Sequence, residues 1–307
     1  SDQLNNPSRN LVDTIYNMEN VQDWMHDYML SIGADSLKFV GSQKDNKDSI
    51  SFADIMRNEL DLKINWFEDT KDSKESFKLI RKNAERLGIV IMINGIVGNN
   101  TRRKLDLAEF RAFTLIDEYA PLIFINSNDS DNGKLFSLIH EMAHIWLGEN
   151  SLFNEGHIIN SSISRLETLC NAITGEFLVP GNFFLDYWKK YLKIDQEKRI
   201  TSLARDFRCS VAVVARKALS FKLISDNAYN DIVKKAVEKF NNLQNEKPSG
   251  GDFYANQLTR YDHRFLSAIA NDVAEGKTLY SDAFRLTNTN RCTFTKLIEK
   301  LEENNGR

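Results

Sequence analysis

His140, Glu141 and His144 stand in a His-Glu-x-x-His pattern, and these residue types at this spacing do metal chemistry when the segment is helical. A helix turns about 100° per residue, which leaves His140 and His144 about 40° apart on the wheel and one turn apart along the axis. Both imidazoles then reach one ion. Glu141 projects about 100° from His140, beside the ion instead of onto it, where a general base acting on water belongs. A catalytic zinc site takes a third protein ligand and keeps a fourth position open. An extended His-Glu-x-x-His-x-x-Gly-x-x-His pattern needs glycine at 147 and histidine at 150, whereas the chain has Leu147 and Asn150. The third ligand is therefore sought among Glu149, Glu155, His157, Glu167 and Glu176.

These residues need elements to hold them. Residues 127–133 form a turn rich in Ser, Asn and Asp, which caps the start of a helix running from about 134 to the stop at Gly148. A second helix is predicted over 163–178, ended by Pro180. On it Glu167 and Asn171 are four apart and share a face, while Glu176, nine residues on from Glu167, faces the other way. Only one of these two glutamates points at the ion. Short β-branched runs at 89–93 and 121–126 read as strands. The edge of strand 122–125 is the natural seat for an extended peptide. Asn126, at its end, is placed either to hydrogen-bond a substrate backbone or to cap the turn. Further helices are predicted over 10–31, 50–60 and 73–87, the last ending at Gly88.

Composition narrows the class. The 307 residues carry 40 Lys+Arg against 43 Asp+Glu, a net charge of −3 that argues against a surface coated in positive charge for non-specific nucleic-acid binding. Cys170, Cys209 and Cys292 are far apart, odd in number and without CxxC spacing, as expected of reduced thiols in a cytoplasmic protein. No stretch approaches 18 apolar residues, and no signal-peptide core is visible in 1–30. The fold class is α+β over the first 180 residues and mostly helical afterwards.

Three segments carry a family likeness: 120–126 (Ala-Pro-Leu-Ile-Phe-Ile-Asn), 140–144 (His-Glu-Met-Ala-His) and 167–180 (Glu-Thr-Leu-Cys-Asn-Ala-Ile-Thr-Gly-Glu-Phe-Leu-Val-Pro). Together they resemble the ImmA/IrrE family of zinc metallo-endopeptidases. Cys170 stands where the family pattern has a small Ala, and Ile173 and Thr174 replace Phe-Ala. Segments 102–106, 109–113, 250–254 and 280–286 resemble the long, regulator-associated members, many of which carry a helix-turn-helix domain ahead of the peptidase; none is read at the start of this chain. The resemblance implies a minimal zincin-like peptidase domain, a small sheet with two active-site helices. It implies Zn2+ held by His140, His144 and Glu167, with Glu141 as catalytic base. Glu167 with Asn171 resembles the gluzincin arrangement, in which a polar group one turn after the carboxylate ligand hydrogen-bonds a ligand histidine. The implied substrate is a DNA-binding repressor or antitoxin-type regulator, whose cleavage derepresses a mobile-element, stress or toxin–antitoxin locus, with a toxin as a further partner. Asn126, His157 and Arg111 are the candidates for contacting substrate. The alternative is a non-catalytic antitoxin or regulatory module that holds a protein or DNA with the same fold.

The expected domain division is 1–195 for the peptidase with its N-terminal helices, 196–245 for a helix-turn-helix-like segment, and 246–307 for a small helical domain. Residues 241–252 are the best linker. Residues 200–218 match two short helices around a turn, with Arg205, Arg208, Arg216 and Lys217 available for phosphates. Scaffold is favoured over DNA reading there. Phe183, Phe184, Tyr187, Trp188 and Tyr191 form an aromatic stripe at helical spacing, expected to pack a core.

Overall fold

Residues 7–150, 161–244 and 253–305 are described by the computed structural model. The chain begins with α1 (Arg9–Ser31), α2 (Ser49–Glu59), a short 3-10 turn (Trp66–Asp69) and α3 (Ser73–Leu87). It then lays down β1 (Val90–Asn94), β2 (Ile96–Val97), β3 (Asn100–Lys104), β4 (Ala112–Leu115) and β5 (Leu122–Asn126). Helices follow: α4 (Asp131–Leu147), α5 (Ser161–Leu178), α6 (Gly181–Lys190), α7 (Gln196–Asp206), α8 (Val211–Ser220), α9 (Asp226–Gln244), α10 (Phe253–Arg260), α11 (His263–Ala274), α12 (Tyr280–Leu286) and α13 (Arg291–Asn305). The architecture is α+β, with a mostly helical C-terminal half.

β5 is the central strand of a three-stranded sheet, parallel to β1 on one side and antiparallel to β4 on the other. β2 and β3 pair as a separate hairpin. Successive residues of a strand face opposite sides, and here both sides are covered. Ile91, Ile93, Ile123 and Ile125 enter a core shared with α2 to α9. Val90, Met92, Leu122 and Phe124, with Phe113 and Leu115 of β4, enter a second core shared with α1 and α10 to α13. Burial on both faces is why β1 and β5 read as continuous apolar runs, without alternation. β3 is largely exposed and charged and β4 is only four residues long, so neither has a run of that kind in the sequence.

The C-terminal helices dock on the outer side of β1. Asp262 accepts from Ile91 N at 3.1 Å, and also caps α11 by accepting from Phe265 N at 2.9 Å. Arg81 of α3 donates to the carbonyls of Thr259 (2.7 Å) and Tyr261 (2.6 Å). These bonds satisfy backbone groups at the sheet edge and the end of α10, which burial would otherwise leave costly. No described helix is long and apolar enough to cross a membrane.

Candidate metal centre

α4 carries the His-Glu-x-x-His pattern, and both of its ends are fixed. Ser130 accepts from Gly133 N at 3.0 Å at the start, and Gly148 ends the helix in the left-handed region at φ 74°. A β-carbon at 148 would stand 3.0 Å from Gly41 Cα, so two glycines make this crossing possible. The crossing segment caps the helix: Gly41 N donates to Ile145 O at 2.9 Å and Gln43 N to Trp146 O at 2.8 Å. From Leu138 to Leu147 every residue except His140 is buried, which fixes the rotation of the helix about its axis.

α5 packs against α4 and presents Glu167. Arg57 of α2, itself buried, donates from Nη1 to the carbonyls of Glu176 (3.1 Å) and Phe177 (3.2 Å), and Trp66 Nε1 donates to Phe177 O at 3.3 Å. A cation and an indole N–H thus satisfy carbonyls that a helix end leaves orphaned.

The three side chains converge. His140 Nε2 lies 3.3 Å from His144 Nε2 and 3.2 Å from Glu167 Oε2, and His144 Nε2 lies 3.3 Å from Glu167 Oε1. Two bonds of about 2.0–2.1 Å at a tetrahedral angle set their ligand atoms about 3.3 Å apart, so the triangle of donors fits such an ion. His144 is fully buried, while the Glu167 side chain is 31% exposed, so the centre opens toward α5. Burial opposes a charge on His140, yet the hydrogen bond it donates to Glu167 and the charges of Glu141 and Glu167 outweigh it and raise its pKa. Burial likewise opposes a charge on Glu167, but the two facing imidazoles overcome this and hold its pKa at about 2. The carboxylate is therefore anionic and ready to ligate at neutral pH.

Glu141 is buried beside the triangle, and its Oε2 accepts from Thr114 Oγ1 at 2.7 Å. The sequence reading missed Thr114. Its only signal was a β-branched residue among apolar ones in 112–115, a strand too short to stand out.

The remaining site candidates separate. Asn171 is exposed on α5 and, as a hydrogen-bonding neighbour, helps to raise the pKa of His140. Among the described residues the Nδ1 atoms of His140 and His144 have no hydrogen-bond partner. Asn126 is fully buried; its amide donates to Phe110 O at 3.3 Å and its oxygen accepts from Asn128 N at 3.1 Å. It caps the turn, which the expectation of a substrate contact had as its other outcome. Arg111 is exposed just before β4 and pairs with the buried Asp129 at 2.6 Å. His157 lies outside the described residues. Glu176 points away from the metal centre, as the helical wheel requires, and pairs with Lys217 of α8. The expected peptide seat along 122–125 is not available, because β5 is paired on both sides. The outer strand beside α4 is β4.

Residues 84–219 match a peptidase family model described as the IrrE N-terminal-like domain. This segment is similar to that domain. It runs from the end of α3 through α8 and so contains the sheet, the His-Glu-x-x-His helix and Glu167. The two helices read as a helix-turn-helix, α7 and α8, lie within the same IrrE N-terminal-like match. Val214, Ala215 and Ala218 of α8 are buried, Lys217 is paired with Glu176, and Arg208 Nε donates to Thr70 O at 2.7 Å. The aromatic stripe of α6 also packs inside it, Phe184 and Tyr187 against Phe207 of the turn after α7. Residues 261–300 match a domain of unknown function. No curated protein matches the chain.

Proposed function

We propose that the chain is a zinc-dependent endopeptidase that cleaves a protein, specifically a DNA-binding repressor or antitoxin-type regulator. The observation that carries the reading is the triangle of His140 Nε2, His144 Nε2 and a Glu167 carboxylate with edges of 3.2–3.3 Å, with a buried glutamate next to it in the chain. A bound zinc ion supplies Lewis-acid polarisation of the scissile carbonyl and acidifies water toward a pKa of about 7. Glu141 takes the proton of the attacking water and delivers it to the departing amine. Thr114 and the buried wall of α4 limit competing solvent around that carboxylate. The substrate enters as an extended segment beside β4, the outer strand nearest the site. The regulator class of the substrate, and a toxin as a further partner, follow from the ImmA/IrrE resemblance.

The test is incubation with the repressor-like protein encoded nearby, with and without chelator, read by intact mass. Two products summing to the substrate plus one water are expected without chelator and none with it. Glu141→Gln should retain the metal and the fold and lose cleavage. Full cellular function in Glu141→Gln would instead support a module that holds its partner without cutting it.

A further inference from the structure

We propose that Thr114 is a positioning residue for the general base: its hydroxyl holds the Glu141 carboxylate in the orientation that proton transfer requires. The proposal deepens the peptidase reading above and rests on it.

The placement follows from the pleat of β4. Phe113 and Leu115 point into the core shared with α1 and the C-terminal helices. Thr114 therefore points the other way, toward α4. It stands opposite Ile123 in the ladder, whose side chain enters the same core as Leu138, Met142 and Ile145 of α4. From there Oγ1 reaches Glu141 Oε2 at 2.7 Å, with the carbonyl oxygen of Glu141 at 3.2 Å. A hydroxyl has one proton to give, and the shorter, charge-assisted partner takes it. Thr114 is 0% exposed and Glu141 5%, so water competes poorly for this bond.

The chemistry explains why a hydroxyl matters at this point. A free glutamate side chain samples many rotamers, and an untethered carboxylate spends little time in one orientation. Tying Oε2 to a strand that is itself locked to β5 leaves the second oxygen facing a defined direction; among the described residues no hydrogen bond involves Oε1. A valine would preserve the branched shape and the strand preference of this position. The hydroxyl is what threonine adds.

The test compares wild type, Thr114→Val, Thr114→Ser and Glu141→Gln, each as the full chain, with a pool of quenched fluorescent decapeptides of mixed sequence as probe. Thr114→Val should bind zinc to the same stoichiometry and melt cooperatively. Its kcat should fall about tenfold to a hundredfold with KM within about twofold of wild type. Thr114→Ser should recover most of the loss, because it restores the hydroxyl. A Thr114→Val enzyme with wild-type kcat, or a Thr114→Ser enzyme as slow as Thr114→Val, overturns the proposal. A second readout does not depend on turnover. In crystals of the metal-free variants, the Glu141 carboxylate should move by more than about 0.5 Å in Thr114→Val and stay in place in Thr114→Ser. An unmoved carboxylate in Thr114→Val overturns the proposal whether or not any peptide is cut. If wild type cuts nothing in the pool or in the nearby regulator, the peptidase reading fails, and the carboxylate position still decides whether Thr114 holds Glu141.

Discussion

Glu167 and Glu176 share one helix and face opposite ways: the first meets two histidine nitrogens at 3.2 and 3.3 Å, the second forms an ion pair with Lys217 and accepts from Gly181 N at 2.8 Å. One carboxylate completes the metal centre. The other bolts α8 and the start of α6 onto the back of the same helix. The side chains of Glu176 and Lys217 are only 9% and 12% exposed, so this second glutamate belongs to the scaffold that keeps α5 from rolling.

Lys217→Met should therefore destabilise the fold by about 3 kcal/mol, because it strands a buried carboxylate without its partner. The double variant Glu176→Gln with Lys217→Met should recover much of that loss. Denaturant unfolding of the two singles and the double gives the coupling. Additive losses would mean that the pair does not act as a unit.

Removal of a ligand should remove the metal. His140→Ala and His144→Ala are expected to lose the ion in elemental analysis, while Glu141→Gln keeps it. In wild type a chelator should lower the melting temperature, since a ligand at a hundredfold its Kd adds about 2.7 kcal/mol to the folded state. The shift should vanish in His144→Ala. A chelator effect of equal size in that variant would place the ion elsewhere.

Glu85 gives the pH prediction. Burial raises its pKa to about 7, against the pull of Arg81, whose Nε lies 2.5 Å away; the nearby Asp262 adds to the rise. Asp262 is itself raised by burial. A carboxyl raised on folding binds more protons folded than unfolded between its two pKa values, so stability is fully present at low pH and is lost as pH climbs toward 7. Glu85→Gln should flatten the dependence between about pH 4.5 and 7. The check is the difference in melting temperature between variant and wild type across that window, which should move in favour of the variant as pH rises. A constant difference would remove Glu85 as the cause.

Gly148→Ala should cost about 1–3 kcal/mol. Its φ of 74° is strained for any side chain, and the new β-carbon would meet Gly41 Cα at 3.0 Å. Because the 41–43 segment caps the end of α4 that bears His144, metal affinity should weaken with stability. Titration of the apoprotein with zinc measures this. Unchanged affinity would show that the cap and the site are uncoupled.

Local chemistry made much of this protein readable from its residues alone. His140 and His144 are one helical turn apart whatever packs around them, and Ser130 and Gly148 bracket their helix. Glu167 and Glu176 oppose each other on any helix. The β-branched runs at 89–93 and 121–126 fall within a residue of β1 and β5 because strands buried on both faces are apolar throughout. Long-range pairing decided the rest. Nothing near 122–126 in sequence announces that β5 will be flanked on both sides, so its edges read as open until β4 takes one of them. Nothing near Thr114 announces Glu141, because a four-residue strand meets that helix only after the chain has crossed β5. Asn126 carries the same amide whether it faces a substrate or a turn, and burial sent it to the turn. Helical periodicity acts within a few residues and survives in the sequence; the contact of a strand with a helix 27 positions away exists only once the core has formed.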